Sequence, residues 1–327
     1  MLVLDGAQVR QVFSPAAAYQ VVAEVMRRFS KGDVVQPVRT VLGYQGDGSL
    51  FAAMPCHVSG EKETGYGVKA VLHMPGNTVR GLPTHVGILV VFDPENGQPL
   101  GIIEGAAVTA LRTAAASAVA SDALALPEAG DLALLGAGRQ ARGHLVALSE
   151  IRRLRRVRLW NRGAERAEDF RTWAGSDLGI DVELVAMPAE ALRGADLVCG
   201  TVGATAPLIH AVDLAEGCHI NAVGASVPAQ RELDVAAVAA CSVFVDSRES
   251  ALRESSDIAL AIEEKRISPD LCEIGEVLLG VRPGRAAPTE RTLYKSLGIA
   301  AQDVASGFAV VRAARHLGVG SVTEFSC

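Results

Sequence analysis

The residues best suited to chemistry stand near the middle of the chain. The run Leu132-Ala133-Leu134-Leu135-Gly136-Ala137-Gly138-Arg139-Gln140-Ala141 sets a G-x-G-x-x-A pattern directly after an apolar segment and directly before a helical one. In that setting Gly136 makes a tight turn, Gly138 lets the backbone approach a pyrophosphate, and Ala141 allows the helix to pack close to the strand. The anion then rests on the helix N-terminus, where backbone N–H groups and the macrodipole favour negative charge. The chemistry implied is that of a bound dinucleotide. The next β-like run closes with Arg158-Leu159-Trp160-Asn161-Arg162, where an NAD-binding fold usually carries an acidic residue for the ribose hydroxyls. No carboxylate stands there. Neutral Asn161, cationic Arg162 and Arg166 one helical turn further would accept a 2′-phosphate, which predicts NADPH as cofactor, with NADH as the alternative. Two more runs, Leu197-Val198-Cys199-Gly200-Thr201 and Ile220-Asn221-Ala222-Val223-Gly224-Ala225-Ser226, end in small residues. The carboxyl ends of parallel strands line a ligand crevice, so Thr201 and Ser226 are candidate lining residues, or else helix caps.

Such motifs need a scaffold in which strands alternate with helices, and from Asp131 onward the sequence has that texture. Apolar runs at Leu132 to Leu135, Val157 to Trp160, Asp181 to Leu184, Leu197 to Thr201, His219 to Val223 and Val243 to Asp246 are separated by helical segments. This predicts an α/β, Rossmann-type doubly wound parallel sheet. The preceding part differs. A helix over Pro15 to Arg28, capped by Ser14, is followed by β-like runs at Val38 to Leu42, Leu50 to Val58, Gly67 to His73 and Val86 to Phe92, which predicts an antiparallel sheet. Between the two textures lies Ala106 to Leu126, a small-residue helix stopped by Pro127, in which Arg112 is the lone cation. Thr292 to Gly298 leads into a last helix, Ala300 to His316, that is expected to fold back on the first domain. The expected division is residues 1–121 as a substrate-binding and dimerisation domain of α+β type, completed by 300–327, and residues 122–299 as the NADP-binding domain.

Composition narrows the class. With 327 residues, 49% hydrophobic, 21% charged and 4% aromatic, the chain reads as a globular α/β protein of about two domains. A net charge of −6 argues against nucleic-acid binding, which relies on clustered cations. The stretch Arg152, Arg153, Arg155, Arg156 and Arg158 falls between a helix and a strand and reads as a solvated turn. Six cysteines, without a C-x-x-C pair or a His-containing ligand spacing, signal neither a zinc site nor a disulfide framework. No signal-peptide pattern opens the chain and no apolar run approaches membrane length, so no membrane partner and a cytoplasmic location are expected.

One set of segments carries a resemblance. Leu111-Arg112-Thr113-Ala114-Ala115, the G-x-G-x-x-A turn, Val157-Arg158-Leu159-Trp160-Asn161-Arg162, Asn221-Ala222-Val223-Gly224-Ala225-Ser226, Gly275-Glu276-Val277 and Lys295-Ser296-Leu297-Gly298 together resemble the ornithine cyclodeaminase and mu-crystallin family, over Val38 to Val311. The match is nearest to the ketimine reductase branch. Cyclodeaminases of the family carry an acidic residue, then Pro-Gly-Lys, after the Asn-Ala-Val-Gly strand; here the sequence is Ser226-Val227-Pro228-Ala229-Gln230. That departure tells against ornithine cyclisation and leaves hydride transfer to an imine intact.

The resemblance implies that Arg39, Lys69 and Arg112 converge on the substrate. An arginine fork holds a carboxylate by two parallel hydrogen bonds, so Arg112 would be the main clamp, with Arg39 assisting. Lys69 would bind the carboxylate or supply the proton that accompanies hydride delivery, its pKa lowered by burial beside two arginines. Thr84 and His85 match pocket positions, with a structural role for His85 as the alternative. Thr84, Thr113, Arg139, Gln140, Val223 and Ser296 join the glycine turn, Asn161, Arg162, Arg166 and Thr201 as implied cofactor contacts, and Ser226 joins the catalytic set. The implied activity is NADPH-dependent reduction of a small, cyclic, carboxylated ketimine by a homodimer, with the substrate lying in the crevice between the two domains. Its rivals are an amino-acid dehydrogenase acting on alanine or arginine, and a crystallin-like protein that binds NADPH and ligand without turnover.

Overall fold

Period-two alternation organises the first part of the chain. The computed structural model describes residues 1–324 apart from 45, 47, 61 and 62, so the last three residues of the expected 300–327 segment, Cys327 among them, lie outside the described residues. The chain divides into two compact units, Met1–Arg112 with Ile299–Cys327, and Thr113–Gly298. In the first unit the strands are β1 (Leu2–Leu4), β2 (Val34–Val35), β3 (Thr40–Gly43), β4 (Leu50–Val58), β5 (Gly65–His73), β6 (His85–Phe92) and β7 (Pro99–Glu104). The sheet runs from a short strand at Ser321–Val322 through β1, β7, β6, β5 and β4 to β2, with β3 also on β4. Every pairing is antiparallel except β1 with β7. Pro55, which has no N–H to donate, falls in the gap between the stretches of β4 paired with β3 and with β2.

Two helices of this unit begin on side-chain caps. Asp5 accepts from Ala7 and Gln8 to start α1 (Gly6–Val12), and Ser14 accepts from Ala17 to start α2 (Pro15–Lys31). Gly32, at φ 92°, ends α2 in the left-handed conformation. The C-terminal helix, Ala300–Leu317, packs on β4 to β7 and on α2. Its close seating depends on glycine. A Cβ at Gly67 would lie 2.9 Å from both methyls of Val304, and one at Gly307 would lie 2.6 Å from a methyl of Leu89. Between the two sheet-bearing parts of the chain runs α3 (Gly105–Leu124), whose first turn is capped by the Glu104 carboxylate through the N–H groups of Ala106 and Ala107.

The second unit is a wholly parallel sheet. Its strands are β8 (Asp131–Leu135), β9 (Arg156–Trp160), β10 (Glu183–Leu184), β11 (Leu197–Gly200), β12 (His219–Ala222), β13 (Ser242–Val245), β14 (Cys272–Glu273) and β15 (Thr292–Lys295), in the order β10-β9-β8-β11-β12-β15-β13-β14. Strands buried on both faces lose polar alternation. In β8, Leu132 and Leu134 join the core beneath α4 (Arg139–Ile151) and α5 (Ala164–Leu178), whereas Ala133 and Leu135 join the core on the other face.

Three expectations need completing. Thr292 to Lys295 leads into the last helix as expected but is itself a central strand: its Lys295 is tolerated in a buried position because Asp257 (2.8 Å) and Glu232 (3.5 Å) pair with it. Leu2–Leu4 and Pro99–Glu104 form strands that the sequence reading leaves out, the first too short for its periodicity to show and the second running straight into α3. In the arginine stretch Arg153, Arg155 and Arg156 are exposed, as a solvated turn implies, and the departure from that reading is the burial of Arg158. Arg152 pairs with Asp122, Arg155 with Asp131 and Asp196, and Arg156 with Glu183, while Arg158 is buried and donates to the carbonyls of Glu190 and Arg193. No helix among the described residues is long and apolar enough to cross a membrane.

Candidate active site

In the first unit, alternation along β5 turns Gly65, Gly67 and Lys69 inward and Tyr66 outward. An ammonium group in such a place must be paired, because an isolated buried charge costs several kcal/mol or more. The pairing comes from the C-terminal helix. Seated close over Gly67, it brings Asp303 to Lys69, with Nζ 2.6 Å from Oδ2. The other carboxylate oxygen of Asp303 accepts from Nε of Arg112 at 3.0 Å, and Nη1 of Arg112 donates to Oε1 of Gln302 at 3.0 Å. Gln302 is held in turn by donating Nε2 to the sulfur of Met26. Lys69, Arg112, Gln302 and Asp303 are all buried.

Charge does not balance within this cluster. Lys69 and Arg112 face one carboxylate, and half-buried Arg39 adds a third positive charge that acts on Lys69. Burial pushes the Lys69 pKa down to about 8; Arg112 and Arg39 push the same way, and Asp303 opposes them. For Asp303 burial alone would favour the neutral acid, but Arg112 and Lys69 outweigh it and hold the carboxyl below its usual range. The nearby Cys56 thiol is pushed up to about 12 by burial and by the charge of Asp303, so it is no nucleophile. Lys69 and Arg112 together carry one positive charge more than Asp303 balances. Arg112 spends Nε and one Nη1 hydrogen on Asp303 and Gln302, and its Nη2 makes no hydrogen bond among the described residues. An anion with two oxygens, such as a carboxylate, suits both the charge and the donors.

In the same unit Thr84 Oγ1 lies 3.1 Å from Nδ1 of His85, whose ring stacks on His73 with centroids 4.4 Å apart. The structure thus gathers Arg39, Lys69 and Arg112 into one electrostatic cluster and places Thr84 and His85 at the start of β6.

The second unit holds the glycine turn at the end of β8, between β9 and β11, where strand order reverses. Gly136 has φ 107°, and a Cβ there would come 2.8 Å from Oγ1 of Thr201. Thr201 itself is spent on the turn, donating its hydroxyl to the carbonyl of Leu135 at 2.8 Å. Gly138 caps α4 with no side chain, and nothing lies within 4 Å of where its Cβ would be. Exposed Arg139 opens the first turn of α4, whose N–H groups have no intrahelical acceptor, and Ala141 is fully buried against the strand. Asn161 also serves the turn, accepting from the Ala137 N–H at 3.1 Å and donating to the Gly163 carbonyl at 2.8 Å. Arg162 and Arg166 are exposed. Val223 and Ser296 are fixed at strand ends by N–H donation to Gly200 and Ala222, and Ser226 N–H points to Oε1 of Gln230 at 3.4 Å.

Orphaned polar atoms test whether a nicotinamide dinucleotide suits this unit. Oγ1 of Thr113, Oε1 of Gln140 and Oγ of Ser296 are buried and have no hydrogen-bond partner among the described residues. Buried polar groups are normally satisfied, so each is poised for a ligand. Together with the open, uncapped start of α4, they fit the cofactor.

Sequence reasoning missed Asp303 and Gln302, and likewise Glu232 and Asp257. Oε2 of Glu232 accepts from the Ala225 N–H at 3.0 Å, and burial pushes its pKa up to about 7. The available signal for Asp303 was a carboxylate in the first turn of an otherwise apolar helix, which reads equally as a complement to the helix dipole.

Fold and site define a nicotinamide-dependent oxidoreductase. The family model for the ornithine cyclodeaminase/mu-crystallin family matches residues 2–316, and the chain belongs to that family. It is 38% identical over 283 residues to the ketimine reductase mu-crystallin of Mus musculus, covering 85% of this chain and 86% of that protein. It is 32% identical over 328 residues to a Delta(1)-pyrroline-2-carboxylate reductase of Bacillus cereus, covering 99% of this chain and 100% of that one. Among solved structures, Thermococcus litoralis Delta(1)-pyrroline-2-carboxylate reductase in complex with NADH and L-proline superposes with a TM-score of 0.94 at 31% identity, covering 99% of this chain and 100% of that one.

Proposed function

We propose that this imine reductase, acting on CH–NH bonds, takes a small cyclic ketimine bearing a carboxylate, of the pyrroline-2-carboxylate or piperideine-2-carboxylate type, and reduces it to the L-amino acid with NADPH. The observation that carries the reading is the pair of buried cations, Lys69 and Arg112, that share the one carboxylate of Asp303 and so leave a surplus positive charge suited to an anionic ligand. The substrate carboxylate lies on the unspent donors of Arg112, with Arg39 assisting. Lys69, as an ammonium, donates a proton to the imine nitrogen. When bound, the reduced nicotinamide supplies the hydride that the imine carbon receives. Thr113, Gln140 and Ser296 orient the nucleotide, with Val223 and Ser226 at the neighbouring strand end. The cofactor preference rests on β9, which ends without a carboxylate and is followed by the exposed cations Arg162 and Arg166. The described cysteines are free, as suits a reducing compartment, and we place the protein in the cytoplasm as a homodimer.

Steady NADPH oxidation with five- and six-membered cyclic imino acids tests the reading. Turnover is expected with at least one ring size, and Arg112→Ala should lower kcat/KM on the order of 100-fold. Binding of NADPH without consumption would indicate the non-catalytic binder instead, and NADP⁺ reduction confined to L-alanine or L-arginine would indicate an amino-acid dehydrogenase.

A further inference from the structure

Asp303 is fully buried, and its two oxygens are divided between the two groups to which the proposed chemistry assigns separate tasks: Oδ2 to Lys69 at 2.6 Å and Oδ1 to Nε of Arg112 at 3.0 Å. Bridging from the C-terminal helix to β5 and α3, it fixes the distance between proton donor and carboxylate clamp. We infer that Asp303 is a positioning residue for imine reduction, which orients the free edge of the Arg112 fork towards the substrate carboxylate and keeps Lys69 charged as donor to the imine nitrogen. This rests on the role given to Lys69 above.

The charges around Lys69 make the case. Burial disfavours the ammonium form most, and Arg112 on α3 and Arg39 ahead of β3 add to it. Its register partners on the neighbouring strands, Met54 on β4 and Leu89 on β6, are apolar, and Cys56 on β4 is a neutral thiol. Against these stands the Asp303 carboxylate, which acts on Lys69 both by its charge and by a hydrogen bond. In the reaction the C=N π bond opens, the carbon takes hydride from the reduced nicotinamide, and the nitrogen takes a proton from Nζ. Lys69 is left as a neutral amine that regains its proton from water. A donor already neutral before substrate arrives cannot perform this step.

Gln302 gives the arrangement its second fixed point. By accepting from Nη1 it stops the guanidinium from turning about the Asp303 contact, and its own amide is anchored on Met26. An asparagine at 303 would keep the size but not the function, since it offers one acceptor oxygen where two cationic donors need one each.

The pH dependence of kcat and kcat/KM for a cyclic imino acid, measured on wild type, Asp303→Asn, Asp303→Glu and Lys69→Met, tests the inference. Wild type should lose activity on a basic limb near 8. In Asp303→Asn that limb should move down by about one pH unit or more, so that activity returns on acidification, while NADPH affinity measured by fluorescence is unchanged. Asp303→Glu, which keeps the charge but shifts the carboxylate, should hold the limb near the wild-type position and raise KM; it carries the test if the asparagine variant does not fold. An Asp303→Asn enzyme with the wild-type limb, or an Asp303→Glu enzyme whose limb moves with its KM unaltered, overturns the inference. Lys69→Met separates the two levels: if it retains kcat, the role of Lys69 itself fails, whereas an inactive Lys69→Met beside an unshifted Asp303→Asn removes Asp303 alone.

Discussion

At the scale of single residues, what could be seen beforehand depended on how local each constraint is. Gly136, Gly138 and Ala141 were legible because their spacing alone fixes turn, approach and packing, and the structure places Gly136 at φ 107° and Ala141 in the core. Asp303 was not. Its partners lie 234 and 191 residues away in sequence, so no window of the chain contains the pair. Asn161 turned out to support the glycine turn through two hydrogen bonds, which leaves Arg162 and Arg166 as the side chains at the end of β9 that can choose between nucleotides. Replacing both by alanine should lower kcat/KM for NADPH on the order of tenfold to 100-fold and leave that for NADH within about threefold, because two exposed charge-assisted contacts to a phosphate are together worth roughly 1.5–3 kcal/mol. Equal losses with the two cofactors in steady-state assays would show that these arginines do not read the 2′-phosphate.

At the scale of elements, periodicity located β4, β5, β6 and α2 well, because their faces are sorted by polarity. It failed for β15, where a lysine in a buried strand contradicts the usual pattern until its ion pairs are known, and for β1, which exists only through its partner β7. The inward face of the antiparallel sheet is explained by the C-terminal helix. Its outward face is not: Leu72, Val86 and Ile88 are exposed at 44%, 48% and 47% and neighbour one another on adjoining strands β5 and β6. An apolar sheet face of this kind marks an association surface. In the homodimer proposed above, the two sheets would meet by the same residues, as a twofold contact requires. Light scattering on Leu72→Asp/Ile88→Asp should then give a monomer where the parent gives a dimer, and a parent protein that is monomeric at micromolar concentration would refute the assignment.

At the scale of the whole molecule, a chain of net charge −6 sets two buried cations on one buried carboxylate in its first unit, and in its second unit has an α4 start without a side-chain cap and an unpartnered Gln140 amide oxygen in its first turn. Buried polar groups of this kind cost stability and are retained where a ligand completes them. In the proposed function the first binds an anion and the second a dinucleotide. The claim on which everything turns is that the anion is the carboxylate of the imine being reduced. Comparing kcat/KM for pyrroline-2-carboxylate with that for the same cyclic imine lacking the carboxylate measures this directly. The account predicts a preference for the carboxylated imine on the order of 100-fold or more, nearly abolished in Arg112→Ala. Equal rates with the two imines in the parent enzyme would contradict it.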